Sequence, residues 1–279
     1  MYWMLIKPEE HPRRVLEDAR RSDNRDRLKD NKDNVKVHEQ LNAWNQAKGK
    51  NFFLPPEKTA HYFLSVAMIK FLSGGNSASK TATDAVDVVM QCEGWHPLQR
   101  ENLEILAKDA LDSYYYWHSY TKQYVTVDTS FVRAHAQWVL DNKLWIPSPP
   151  IMARCVTVDF PNGVEKFCGP EVERWATKSE LENVLYRNEK KRIITWKNGS
   201  FLEFMTTDQD LDAHGGVARH VVWYDEEPKS DYWQEGMMRI LTVKGRMILG
   251  MTAVKGISWP KLEIWDKWEN LLEERKLRA

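Results

Sequence analysis

The stretch Leu72-Ser73-Gly74-Gly75-Asn76-Ser77-Ala78-Ser79-Lys80-Thr81 decides how this chain is read. The run Val66 to Leu72 has the branched and apolar content of a strand, and the helical pattern begins at about Lys80. Between them lies a turn of glycine and serine. A strand, a glycine, four spacers, a second small residue, Lys-Thr and a helix follow the phosphate-loop order, with Ser79 where the second glycine usually stands. The residue types suit that chemistry. Successive backbone N–H groups of Gly74, Gly75, Asn76, Ser77, Ala78 and Ser79, ending on a helix N-terminus, form a cradle for phosphate oxygens. Lys80 would reach the outer phosphates, and the Thr81 hydroxyl would hold Mg²⁺. The same residues in an ordinary Gly/Ser turn would carry no chemistry. At positive φ, Ser79 would cost about 1–2 kcal/mol; at negative φ it costs little.

Outward from this loop the chain alternates strands and helices. Ala82, Ala85, Val86, Val89 and Met90 form one stripe of the helix that starts at Lys80. Residues 98–146 read as mostly helix, including the aromatic run SYYYWHSY. Strands are expected around 153–159, 220–227 and 246–252, with a helix over 163–176. Residues 192–205 read as a hairpin turning at Asn198-Gly199. A charged helix is expected over 261–277, with Leu262, Trp265, Trp268 and Leu272 on one side. This order predicts an α/β core with a mainly parallel central sheet flanked by helices. Residues 1–50 stand apart, with twelve basic and nine acidic side chains and few apolar ones, and read as a charged helical appendage. The domain reading is therefore 1–50 appendage, 51–260 core and 261–279 terminal helix.

Composition narrows the classes of function. The 279 residues carry 40 Lys plus Arg and 40 Asp plus Glu, so the chain is no uniformly basic nucleic-acid coat. Hydrophobic residues make up 42%, which excludes global disorder. The three cysteines lack CxxC spacing, which argues against a zinc knuckle or a disulfide scaffold. No run approaches 18 apolar residues and the N-terminus lacks a cleavage signal, so the expectation is a chain neither secreted nor membrane-spanning.

A second motif adds weight to the first. Val221-Val222-Trp223-Tyr224-Asp225-Glu226 is an apolar strand ending in two acids. A central strand delivers its last residues to the ligand edge of an α/β sheet. There Asp225 would share the Mg²⁺ and Glu226 would orient and deprotonate a water, with Glu227 a rival for either role. Thr252, ending the strand MILGMT, would sit at the same edge; a turn cap is the other reading.

Together these stretches resemble the ATPase domain of the large terminase subunit of tailed bacteriophages. The matching segments are LSGGNSASKTATDAV, GWHP, NGSFLEFMTTDQDLDAHGG, HVVWYDEEP and GRMILGMTAVKGISW, in family order over roughly residues 50–260. The resemblance implies a P-loop fold of the additional-strand type, ATP hydrolysis with Mg²⁺, and translocation of viral double-stranded DNA into a procapsid. It implies Lys80 and Thr81 as phosphate-loop lysine and metal-side hydroxyl, Asp225 as Walker B aspartate, Glu226 as catalytic glutamate and Thr252 as coupling residue. It further implies double-stranded DNA, the portal protein and the small terminase subunit as partners. The chain would be a homo-oligomeric ring, commonly pentameric, on the portal and a monomer in isolation, in the host-cell cytoplasm. A transition-state arginine is expected, with Arg239 preferred over Arg133, Arg154 and Arg246. Three departures from the family pattern stand out. Ser77 and Ser79 replace Arg and Gly, AHYFLSV offers His61 in place of an adenine-reading glutamine, and Thr252-Ala253 replaces Thr-Pro. The chain ends soon after Trp259, which predicts no nuclease activity here. The competing functions are a degenerate nucleotide-binding or assembly module and a helicase-like DNA translocase.

Overall fold

The computed structural model describes residues 62–73, 80–108, 114–118, 123–127, 130–252 and 259–267. The 1–50 appendage and the turn Gly74–Ser79 lie outside these residues. Seven strands form the main sheet: β1 (Ile69–Ser73), β4 (Met152–Thr157), β5 (Leu181–Val184), β6 (Ile193–Trp196), β7 (Phe201–Thr206), β8 (Val221–Asp225) and β9 (Arg246–Met251). Their order is β1-β9-β8-β4-β7-β6-β5. β1, β9, β8, β4 and β7 run parallel, β6 runs antiparallel to β7, and β5, antiparallel to β6, points the same way as the parallel strands. Strand β9 thus lies between the strand that precedes the glycine turn and the strand that ends in acids. This is the additional-strand arrangement that the resemblance implied.

The strands alternate their side chains between two helical layers, as the pleat requires. Val221 and Trp223 of β8 pack with Ala153, Cys155 and Ile248 against α1 (Lys80–Glu93) and α4 (Gly169–Trp175). Val222 and Tyr224 face the other way, with Met247 and Leu249, against Tyr232, Trp233 and Ile240 of α5 (Ser230–Leu241). Helix α1 is buried on nearly every side, including Thr83, Asp84, Asp87 and Gln91. The apolar stripe expected from the sequence does face the core, but the opposite polar face is also covered.

Several boundaries differ from the sequence reading. The first strand covers Ile69–Ser73 and not Val66–Leu72. The 98–146 segment is not simply helical: α2 (Arg100–Lys108) and α3 (Ser130–Asp141) flank a hairpin of β2 (Tyr114–His118) and β3 (Gln123–Val127). Tyr, Trp, Val and Thr favour extended backbone, and that preference prevails there. Helices α2 and α3 pack on one another through Leu103, Leu106, Ala136 and Val139. Strand β5 has no counterpart in the sequence reading. The expected 163–176 helix begins as a wide π-type turn over Phe160–Cys168, where the Val164 N–H reaches back to Asp159, before α4 continues it. Asp159 caps that start by accepting from the Asn162 N–H at 2.6 Å. The Asn198-Gly199 turn is as read, with Gly199 at φ +86°. At the C-terminus a short helical segment covers Lys261–Trp265, and Trp268 and Leu272 lie outside the described residues. No helix among the described residues is long and apolar enough to cross a membrane.

Candidate nucleotide and metal site

Parallel strands bring their C-terminal ends to one edge, and the register fixes which residues meet there. Asp225 ends β8 directly opposite Gly250 of β9, and Gly250 is in turn opposite Leu72 of β1. Helix α1 starts at that edge with Lys80, buried, and Thr81. The Thr81 hydroxyl donates to Asp225 Oδ1 at 2.8 Å, although 144 residues separate the two. The two sequence motifs are thereby joined in space. Burial pushes the Asp225 carboxyl up; the Thr81 bond and the nearby Lys80 charge oppose that shift.

Glu226 turns out of the sheet. Its backbone sits at φ +77°, a region that L-residues adopt at a cost, and its N–H donates to the Gly250 carbonyl at 2.7 Å. This conformation carries the carboxylate across to the end of β9. There Oε2 accepts from the Thr252 N–H at 3.0 Å and Oε1 from the Thr252 hydroxyl at 3.1 Å. Glu226, not Glu227, makes these contacts. Lys80, Thr81, Asp225, Glu226 and Thr252 therefore converge at one end of the sheet.

The oxygen donors suit a hard cation. Thr81 and Asp225 offer a hydroxyl and a carboxylate on one side. Among the described residues no group of three metal-ligating His, Cys, Asp or Glu side chains occurs. A cation here would draw the rest of its shell from water and phosphate, which is the habit of Mg²⁺. A cation beside Asp225 would also offset the cost of burying its charge.

Arg239 is not brought to this edge within the chain. It lies in the last turn of α5, its Nε 2.8 Å from Glu235, and its carbonyl accepts from the Arg219 N–H, just before β8 begins. Helix α5 leaves the acidic edge and returns to the opposite one, so Arg239 lies away from Asp225 of its own chain. Arg154 is engaged with Glu203 and the His214 carbonyl. Arg246 opens β9 at the far edge and donates to the carbonyls of Ser65 and Val66. Arg133 is exposed on α3.

Beneath the site lies a buried ionic layer that the sequence reading did not assign. Asp87 of α1 holds Lys70 of β1 at 2.6 Å, accepts from Gln91 at 2.7 Å and faces His96 Nε2 at 3.2 Å. His96 Nδ1 accepts from the Leu98 N–H, so its other nitrogen carries the proton toward Asp87. Burial lowers the His96 pKa to about 4. Although burial opposes it, the Lys70 charge and then His96 hold the Asp87 carboxyl low. Asp84 accepts from the Tyr62 hydroxyl at 2.7 Å, and burial raises its pKa well above the usual range. The spacing of Asp84, Asp87 and Gln91 placed them on one helical face; only the packing showed that this face is covered.

The fold and these residues define an α/β domain of the P-loop, additional-strand class. Comparison with solved structures finds chains of the large terminase from a thermophilic bacteriophage. One crystal form is 12% identical with a TM-score of 0.49, covering 78% of this chain and 44% of that one. The ADP complex is 14% identical with a TM-score of 0.35, covering 72% and 38%. At such similarity these chains add nothing to the argument from the sheet, and this chain spans less than half their length. No protein-family model and no curated protein sequence matches the chain.

Proposed function

We propose that this chain is a Mg²⁺-dependent ATP hydrolase and the motor domain of a terminase large subunit, driving double-stranded DNA into a procapsid. The observation that carries the reading is the Thr81–Asp225 hydrogen bond, with Glu226 bound to Thr252 beside it. A hydroxyl at a helix start and a carboxylate at a strand end meet where parallel strands deliver ligands.

Lys80 would bind the outer phosphates, and Thr81 with Asp225 would hold the metal. When bound, Mg²⁺ would neutralise the negative charge of the phosphates. Glu226 would orient the attacking water and take its proton, for which its carboxylate must leave Thr252. Thr252 would thus report the state of the site to β9 and the segment beyond it. The transition-state arginine would come from a neighbouring subunit in a ring, commonly pentameric. The portal protein and the small terminase subunit would be the partners of that ring, which would assemble from monomers in the host-cell cytoplasm.

Glu226→Gln tests the reading. Equilibrium binding of a fluorescent ATP analogue should stay within about threefold of wild type, while turnover falls at least about a hundredfold. Lys80→Ala should lower both, since the lysine contacts phosphate before and during transfer. Unchanged turnover in Glu226→Gln would overturn the assignment.

A further inference from the structure

The turn between β5 and β6 opens on the same edge of the sheet as Asp225. β7 runs with β4 and β8, β6 runs against β7 and β5 against β6, so β5 ends and β6 begins at that edge. With neighbouring strands about 4.8 Å apart, the turn lies roughly 15–20 Å along the edge from Asp225. Residues 185–192, LYRNEKKR, carry four basic side chains and one acid, Glu189, in a chain of zero net charge. The turn has a fixed frame. The Asn188 N–H donates to the Leu185 carbonyl at 2.9 Å, and the Asn188 side-chain oxygen accepts from the Lys190 and Lys191 N–H groups at 2.9 and 3.2 Å. The Arg192 guanidinium folds inward onto Glu165, the Tyr186 carbonyl and the Phe160 ring. Arg187 is 62% exposed, over the Tyr186 ring and 3.9 Å from Glu173. Lys190 and Lys191 are exposed, and no ion pair among the described residues engages either.

Resting on the DNA-motor reading above, we propose that this turn is a contact surface for the phosphate backbone of double-stranded DNA, made by Lys190 and Lys191 with Arg187 beside them. A frame anchored from within leaves two ammonium groups exposed as point charges on long stems. Such charges hold phosphates without reading base edges, which suits a motor that must pass any sequence. Arginine is the residue matched to planar carboxylates, and both arginines of the turn already meet glutamates; what stays unpaired is lysine. An acidic protein surface is therefore the weaker match. Asp208 and Asp210 are exposed just after β7, which stands between β6 and β4 in the sheet. Their charge confines the attraction to the outer end of the edge and keeps it apart from Lys80 and Thr81.

Fluorescence anisotropy of a labelled DNA duplex of about 30 base pairs, titrated with the chain between about 50 and 200 mM salt, reads the contact. Lys190→Glu with Lys191→Glu should weaken binding at the lowest salt by at least about tenfold. Lys190→Ala with Lys191→Ala should weaken it about three- to tenfold and reduce the slope of log affinity against log salt by about 1–2. The matched control is Lys178→Glu with Lys197→Glu. These two lysines are exposed, just before β5 and just after β6 at the opposite edge, and the control changes net charge by the same amount. It should stay within about twofold of wild type. Duplexes rich in A·T and in G·C should bind the wild type within about threefold of each other. A control pair that loses as much as the turn pair would overturn the proposal, because net charge and not the turn would then carry binding. So would a turn pair that binds as wild type does, the result expected if an acidic protein is the occupant, or a wild type that binds no duplex at the lowest salt. Binding of a fluorescent ATP analogue is measured on the same proteins and should stay within about twofold in every variant. A wild-type chain that binds no nucleotide would overturn the hydrolase reading instead, and the anisotropy would still decide the turn.

Discussion

Replacing Gly250 with alanine puts one methyl group where the structure has no room. A Cβ built on Gly250 would lie 2.1 Å from Asp84 Oδ2, 3.3 Å from Asp84 Cγ and 3.8 Å from Lys80 Cβ. The strand cannot yield easily, because Gly250 is paired on both sides, with Leu72 and Asp225. Nor can Asp84, whose other oxygen holds the Tyr62 hydroxyl and which is fully buried in α1. Overpacking of this kind costs about 1–3 kcal/mol. For a chain of this size each kcal/mol lowers Tm by roughly 2–4 °C, so Gly250→Ala should lose about 2–12 °C. Since Asp84 is one turn from Lys80 and Gly250 is opposite Asp225, the strain falls on the nucleotide site itself. Nucleotide affinity should fall as well, by about tenfold. Asp84→Ala alone strands the Tyr62 hydroxyl and should cost about 1–3 kcal/mol. Combining the two should give a double variant more stable than the sum of the singles by at least about 1 kcal/mol, since the small residue makes room for the methyl. Thermal melts and urea titrations of all four proteins provide the cycle. Strict additivity, or a Gly250→Ala protein as stable as wild type, would refute the packing argument.

Thr252→Val removes the hydroxyl that anchors Glu226 but keeps the backbone N–H; turnover should fall about five- to tenfold, with nucleotide binding within about threefold. His96 has a folded pKa of about 4 against a reference value of 6.5. The unfolded chain therefore binds more protons between those values, and stability should fall as pH drops through that window, by up to about 3 kcal/mol. Lys70, Asp87 and Arg246 set the field on this imidazole, and His96→Gln should flatten the pH 6.5 to 4 limb of the Tm curve. Lys70→Met strands the buried Asp87 carboxylate and should cost about 3–5 kcal/mol, most of which Lys70→Met with Asp87→Leu should restore in chemical denaturation. Arg239→Ala, at the edge away from Asp225, should leave nucleotide affinity of the isolated chain within about twofold; a tenfold loss in equilibrium binding would contradict its placement.

The sequence by itself determined the elements whose signals are local. The helix starting at Lys80 and the Asn198-Gly199 hairpin depend on periodicity and turn chemistry within a few residues. The strand ending at Asp225 depends on a short apolar run, and all three were legible. The order of those elements also predicted a parallel α/β sheet, because strands alternating with helices have few other ways to bury both faces. Where local preferences compete, the sequence was ambiguous: the aromatic run at 114–118 fits a helical stripe or a strand, and the hairpin partner Gln123–Val127 decided it. Only the tertiary structure placed β9 between β1 and β8, since register across a parallel sheet is set by packing between distant segments. That placement brought Thr81 to Asp225 and Thr252 to Glu226. It sent Arg239 to the other edge, because a helix after β8 must run back along the sheet. It also showed that the polar face of α1 is buried. Spacing alone cannot tell a solvated acidic face from one that meets a lysine inside the protein, as Asp87 meets Lys70.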